Sequence, residues 1–173
     1  MPFMPPKAGL SRRNFLGFIL CAGIAGLCPN PVFAAIDELS TKGRSLSLYN
    51  PHTKDSFNGV YWHNGKYVAE ALKNINHIMR DFHAHDIKKI DTHLLDLLSV
   101  ISIKLQPEKP FHIISGYRSP ETNAKLRKSG KGAAKNSYHI QGKAVDIRLP
   151  GYRTSVLRRT AFKLKKGGVG YYP

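Results

Sequence analysis

Residues 137–147, Ser-Tyr-His-Ile-Gln-Gly-Lys-Ala-Val-Asp-Ile, restrict the possible folds of this chain more than any other stretch. From Lys143 onward the side chains alternate as a β-strand requires. Val145, Ile147 and Leu149 face a core, while Ala144, Asp146 and Arg148 face the other way. Gly142 permits a sharp backbone turn, which lets His139 fold back over the strand toward Asp146. Ala144 is too small to fill the space between them. An imidazole and a carboxylate converging over a small residue supply two ligands of a zinc site that lacks thiolates. Taken alone, the same spacing also fits a solvated loop histidine near an ordinary strand carboxylate.

Residues 114–120, Ile-Ser-Gly-Tyr-Arg-Ser-Pro, place Arg118 after a glycine turn at the end of an apolar strand. Its planar, permanently charged fork can bind a carboxylate bidentately or stabilise charge on a carbonyl oxygen. A structural ion pair with a neighbouring helix is the alternative. Ser137, two residues before His139, fits a cleft residue or a solvated loop serine. His112, on the strand that feeds the Arg118 turn, is a further candidate ligand, whereas His83 and His85 read as solvated. No serine or cysteine with a base and an orienting acid is legible, so nucleophilic catalysis is not supported.

The Ser-x-His-x-x-Gly-x-Ala-x-Asp pattern at 137–146 resembles the signature of the LAS-type zinc metallopeptidases. This group holds lysostaphin-like enzymes, D-Ala-D-Ala metallopeptidases and the hedgehog pseudo-peptidase. Together with the 114–120 block and the glycine-rich residues 167–173 (Gly-Gly-Val-Gly-Tyr-Tyr-Pro), the chain is most similar to the murein endopeptidase K type. The resemblance runs from about Arg44 to the last residue. It implies zinc held by His139 and Asp146, Arg118 facing the substrate as the catalytic candidate, and Ser137 lining the cleft. The implied substrate is the peptide cross-link between peptidoglycan stems. In the resembling family the third ligand is a histidine just beyond the glycine-rich strand, and this chain ends at Pro173, where that segment should begin. The expectation is therefore a C-terminally truncated strand segment and an incomplete site. A non-catalytic relative, binding peptidoglycan or serving a regulatory role, is the rival reading.

The amino terminus is set apart from this domain. Ser11-Arg12-Arg13-Asn14-Phe15-Leu16 resembles a twin-arginine export motif, followed by the apolar residues 15–27 and the small-residue cleavage signal Val32-Phe33-Ala34. That apolar run is short of the ~20 residues a membrane-spanning helix needs. Residues 1–34 thus read as a signal peptide, residues 35–173 as the folded domain, and the periplasm or cell envelope as the destination. Both cysteines, Cys21 and Cys28, fall within the signal. The domain has neither a disulfide nor a thiolate ligand, so any metal must rest on His, Asp and Glu. The net charge of +16 favours polyanions, and a solvated surface of scattered lysines fits it equally well. No recognition helix or base-stacking surface is legible, which argues against nucleic acid and leaves stem carboxylates and envelope phosphates.

The rest of the chain reads as α+β, with helices packed on a small antiparallel sheet. Residues 44–49 form a first strand, and Asn64-Gly65 turns a hairpin between residues 60–62 and 66–68. One helix is expected from Ala69 to about Phe82, and another from Asp91, its cap, through Leu105. Residues 111–115 form a strand, after which Ser119 caps a helix with Pro120 in its first position. Thr154 caps a basic helix to about Lys165, and residues 169–172 begin a last strand.

The leader assignment predicts that replacing Arg12 and Arg13 together by lysine leaves unprocessed precursor in the cytoplasm. Fractionation and immunoblotting check this, and normal processing of the double variant would exclude the twin-arginine route.

Overall fold

The computed structural model describes residues 43–130 and 133–171. The leader assigned to residues 1–34, and Tyr172 of the expected last strand, lie outside them. The described chain is α+β, as expected. Five strands run β1 (Arg44–Tyr49), β2 (Ser56–His63), β3 (Lys66–Tyr67), β4 (Phe111–Ser115) and β5 (Asp146–Arg148). Four helices are α1 (Ala69–Ile78), α2 (Thr92–Leu105), α3 (Pro120–Lys128) and α4 (Thr154–Lys163). The sheet order is β3-β2-β1-β4-β5. All neighbouring pairs are antiparallel except β1 and β4, which run parallel and so make the sheet mixed.

Local chemistry explains most of these elements. Asn64 and Gly65 both adopt positive φ, 50° and 76°, between the paired residues His63 and Lys66. That is the two-residue turn whose twist suits a hairpin. Leu46 and Leu48 of β1, with Phe111 and Ile113 of β4, present one apolar face, on which Ile75 and Ile78 of α1 and Leu95, Leu98 and Ile101 of α2 are buried. On β5 the expected alternation holds over a shorter strand. Ile147 pairs with Ile113 and packs on the core, so Asp146 and Arg148 point to the face turned away from the helices. Asp96 on α2 ties the far edge together, accepting from the Tyr61 and Tyr67 hydroxyls at 2.9 Å each and pairing with Arg44 at 2.7 Å. Burial, then the neighbouring Asp96 carboxylate, push the Tyr61 hydroxyl well above its ordinary pKa.

Three expectations need correction. The first helix ends at Ile78 rather than Phe82, because the Asp81 carboxylate accepts from the backbone N–H groups of His83 and Ala84 at 3.0 and 3.3 Å. Such side-chain-to-backbone bonds compete with the helical ladder and favour a turn. Phe82 then leaves the helix and stacks on His52, with ring centroids 4.6 Å apart. Arg153, not Thr154, occupies the N-cap of α4, and no side chain caps that helix. Residues 169–171 join no strand, since the ladder ends at β5. By contrast Asp91 caps α2 through His93 N–H, and Ser119 caps α3 through Thr122 N–H with Pro120 in the first turn.

Asp81 also shapes the turn that carries Arg118. It is almost fully buried, and its second oxygen accepts from Ser119 N–H at 2.8 Å. Burial acts to raise its pKa, but hydrogen bonds from Thr122, Ser119 and His83 outweigh that and hold the carboxyl below its usual range. A depressed carboxylate contributes stability that is fully present above the unfolded-state pKa and is lost as pH falls through the folded one. Asp81→Ala should destabilise the domain by about 3 kcal/mol at pH 7. The difference from the parent should narrow below about pH 4 in urea unfolding.

Candidate metal centre

The centre is built on a tight turn. Ser137 Oγ accepts from His139 N–H at 3.3 Å, Lys143 N–H reaches the Tyr138 carbonyl at 3.0 Å, and Gly142 N–H reaches that of His139 at 3.2 Å. Gly142 has φ +69°, and a Cβ there would stand 2.6 Å from the Lys89 carbonyl oxygen. Its own carbonyl accepts from Asp91 N–H at 2.9 Å. Glycine is therefore required twice at this position, for the left-handed backbone and for the close approach.

His139 and Asp146 converge as their spacing suggested. His139 Nε2 lies 3.6 Å from Asp146 Oδ2, with the imidazole 13% and the carboxylate 38% exposed. That distance is too long for a direct hydrogen bond. Two ligands each about 2.0–2.1 Å from a tetrahedral ion stand roughly 3.3–3.4 Å apart, so the gap suits a shared cation. The opposite ring nitrogen, Nδ1, lies 2.7 Å from the Gly116 carbonyl. A carbonyl can only accept, so Nδ1 carries a proton, and in the neutral ring this leaves the Nε2 lone pair facing Asp146. This is the outer-shell arrangement that orients metal-bound histidines. The donor set of one imidazole and one carboxylate, without sulfur, fits zinc at two positions. Among the described residues no group of three His, Cys, Asp or Glu is placed to hold a metal. His112 does not join the pair, and its ring packs edge-on against Tyr49 with centroids 5.2 Å apart.

Arg118 borders the pair. Its Nη2 donates to Ser115 Oγ at 3.2 Å and lies 3.9 Å from Asp146 Oδ2, and its Nη1 donates to Asn123 Oδ1 at 3.4 Å. These contacts are long, and the guanidinium is only 14% exposed, so the fork is positioned without being consumed by one strong ion pair. Its backbone N–H donates to the His139 carbonyl at 3.2 Å, which joins the arginine turn to the histidine turn. Ser137 faces into its own loop, where its oxygen holds the His139 amide. Sequence reasoning missed the Gly116 carbonyl. The glycine that turns the chain toward Arg118 also supplies the acceptor that sets the histidine tautomer.

Comparison with known proteins places the chain in a family. The family model described as Peptidoglycan L,D-endopeptidase MepK matches residues 38–173. The chain belongs to that family of peptidoglycan endopeptidases. It is 39% identical over 167 residues to Peptidoglycan L,D-endopeptidase MepK of Escherichia coli (strain K12), covering 96% of this chain and 91% of that protein. It is 35% identical to the Probable peptidoglycan L,D-endopeptidase MepK of Haemophilus influenzae, covering 94% of this chain and 87% of that one. No solved structure matches the chain at a significant level.

Gly142→Ala should cost roughly 2–4 kcal/mol, because it adds a backbone collision to the left-handed strain. Gly151, at φ +88° with open space within 4 Å of where a Cβ would stand, is the control. Gly151→Ala should cost only about 1 kcal/mol in the same urea titration.

Proposed function

We propose that this protein is an exported, zinc-dependent murein endopeptidase that hydrolyses peptide cross-links between peptidoglycan stems. The observation that carries the reading is the His139 Nε2 to Asp146 Oδ2 approach at 3.6 Å, with Nδ1 tied to Gly116. The names of the relatives, peptidoglycan L,D-endopeptidases, support the polymer and the class of reaction. His139 and Asp146 would hold the metal. Bound zinc would acidify a water molecule and polarise the scissile carbonyl. Arg118 faces the substrate, with donors free to fix a stem carboxylate or to stabilise negative charge developing on the carbonyl oxygen. Ser137, whose oxygen holds the His139 amide, would keep its hydroxyl proton for a substrate acceptor. Residues 1–34 direct the chain to the cell envelope. Among the described residues no helix is long and apolar enough to cross a membrane.

One observation favours a second reading, a murein-binding relative without catalysis: only two potential ligands meet among the described residues. Zinc titration and digestion of purified muropeptides separate the two. On the enzyme reading the protein binds one zinc and cuts cross-linked muropeptides. His139→Ala or Asp146→Ala should then weaken zinc binding about a hundredfold or more. Arg118→Lys should lower kcat/KM about a hundredfold while changing unfolding free energy by less than about 1 kcal/mol. Stoichiometric murein binding with no product would support the second reading, and a large loss of stability in Arg118→Lys would make that residue a structural ion pair.

A further inference from the structure

Charge is distributed unevenly along this chain. After Asp146 the sequence contains no acidic residue, yet Arg153, Arg158, Arg159, Lys163, Lys165 and Lys166 follow within a short span. Most of them lie on α4 or the turn after it, and all six are exposed. Among the described residues none of the six forms an ion pair, and the carboxylates that do pair lie elsewhere.

Two aromatic rings sit within this cationic surface. Phe162 is 70% exposed, the most open of the large apolar side chains described, and lies one helical turn from Arg158 and Arg159. Tyr171, 40% exposed, lies beneath the Arg158 guanidinium at 5.0 Å from the ring centroid. The core-facing side of α4 is already used, since Leu157 is buried and Ala161 and Leu164 pack on the core. What remains outside is a rigid helix bearing cations around an exposed ring.

We infer that this face of α4 is a docking surface for polymeric murein, separate from the metal centre. The inference rests on the murein-hydrolase reading for the identity of the polymer. Charge complementarity selects the occupant, because stem peptides repeat free carboxylates along the wall and the face offers cations without a competing acid. The aromatic rings add flat apolar area on which sugar rings of the glycan can lie. An anionic bilayer is less well matched. A helix that lies in a membrane buries a continuous apolar face, whereas here that face packs on the domain and the helix offers only Phe162 and the less exposed Val156. By holding the enzyme on the insoluble polymer, the surface would raise the local concentration of cross-links around the centre without adding to the chemistry.

The test uses the full chain, with Arg159, Lys163 and Lys166 replaced together by glutamate, and separately Phe162→Ser. Binding is read by co-sedimentation with purified sacculi at several salt concentrations, and turnover with a soluble cross-linked muropeptide dimer. The triple variant should bind sacculi about tenfold more weakly, and the parent's binding should fall steeply with salt. Phe162→Ser should bind severalfold more weakly with unchanged salt dependence. Both variants should keep the parent's melting temperature and its kcat/KM on the soluble dimer. Equal sedimentation of parent and triple variant would overturn the docking surface. So would a larger loss of binding to phosphatidylglycerol vesicles than to sacculi, which would assign the face to membrane. Failure of the parent itself to cut the soluble dimer would count against the enzyme reading alone, because sedimentation is measured independently.

Discussion

The closest backbone approach around the centre, that of Gly116 to Met79, supports everything placed above it. A Cβ on residue 116 would stand 2.4 Å from the Met79 carbonyl oxygen, and Tyr117 N–H donates to that same oxygen at 2.7 Å. No side chain larger than hydrogen fits there without moving backbone. This junction fixes the end of α1 against the turn that follows β4. From the turn, the Gly116 carbonyl accepts from His139 Nδ1–H, Arg118 N–H donates to the His139 carbonyl, and Ser119 N–H donates to the buried Asp81. Three segments distant in sequence are thus locked together, each hydrogen bond using at least one backbone group.

Such an arrangement separates holding from reacting. Apart from the buried Asp81 carboxylate, the groups that set the geometry are mainly amides and carbonyls, which carry no net charge. Those left facing the cleft are His139, Asp146 and Arg118, and the two ionic distances among them, 3.6 and 3.9 Å, are too long for tight pairing. A close Arg118–Asp146 pair would spend both charges on each other. At the observed spacing the guanidinium is held by neutral partners, Ser115 and Asn123, and the carboxylate keeps an oxygen directed at His139.

Much of the centre was legible because its determinants are local. The alternation through Ile147 and Leu149 fixed the face of Asp146, and Gly142 signalled the turn that brings His139 over it. Asn64-Gly65 and the Ser119-Pro120 start depend on near neighbours and were read correctly for the same reason. The misreadings came from partners far along the chain. Helical spacing carried α1 on to Phe82, because nothing local reveals that Asp81 serves the backbone of Ser119, 38 residues away. The parallel pairing of β1 with β4 left no mark on either strand, since a short alternating strand reads alike in both directions. Residues 169–171 have strand-like composition, but composition cannot supply a ladder partner.

That parallel pair has a kinetic consequence. Leu48 is registered with Phe111, so β2, β3, α1 and α2 all lie on the excursion between two adjacent strands. Closing a loop of about sixty residues costs entropy before any contact across it is gained. The β1–β2–β3 meander can assemble from short-range contacts, whereas β4 must wait for that excursion to collapse. β5 and the histidine turn dock on β4 in turn. The cleft is accordingly expected to form late in folding, and a chain with a half-formed sheet would have a hydrophobic nucleus well before His139 and Asp146 met.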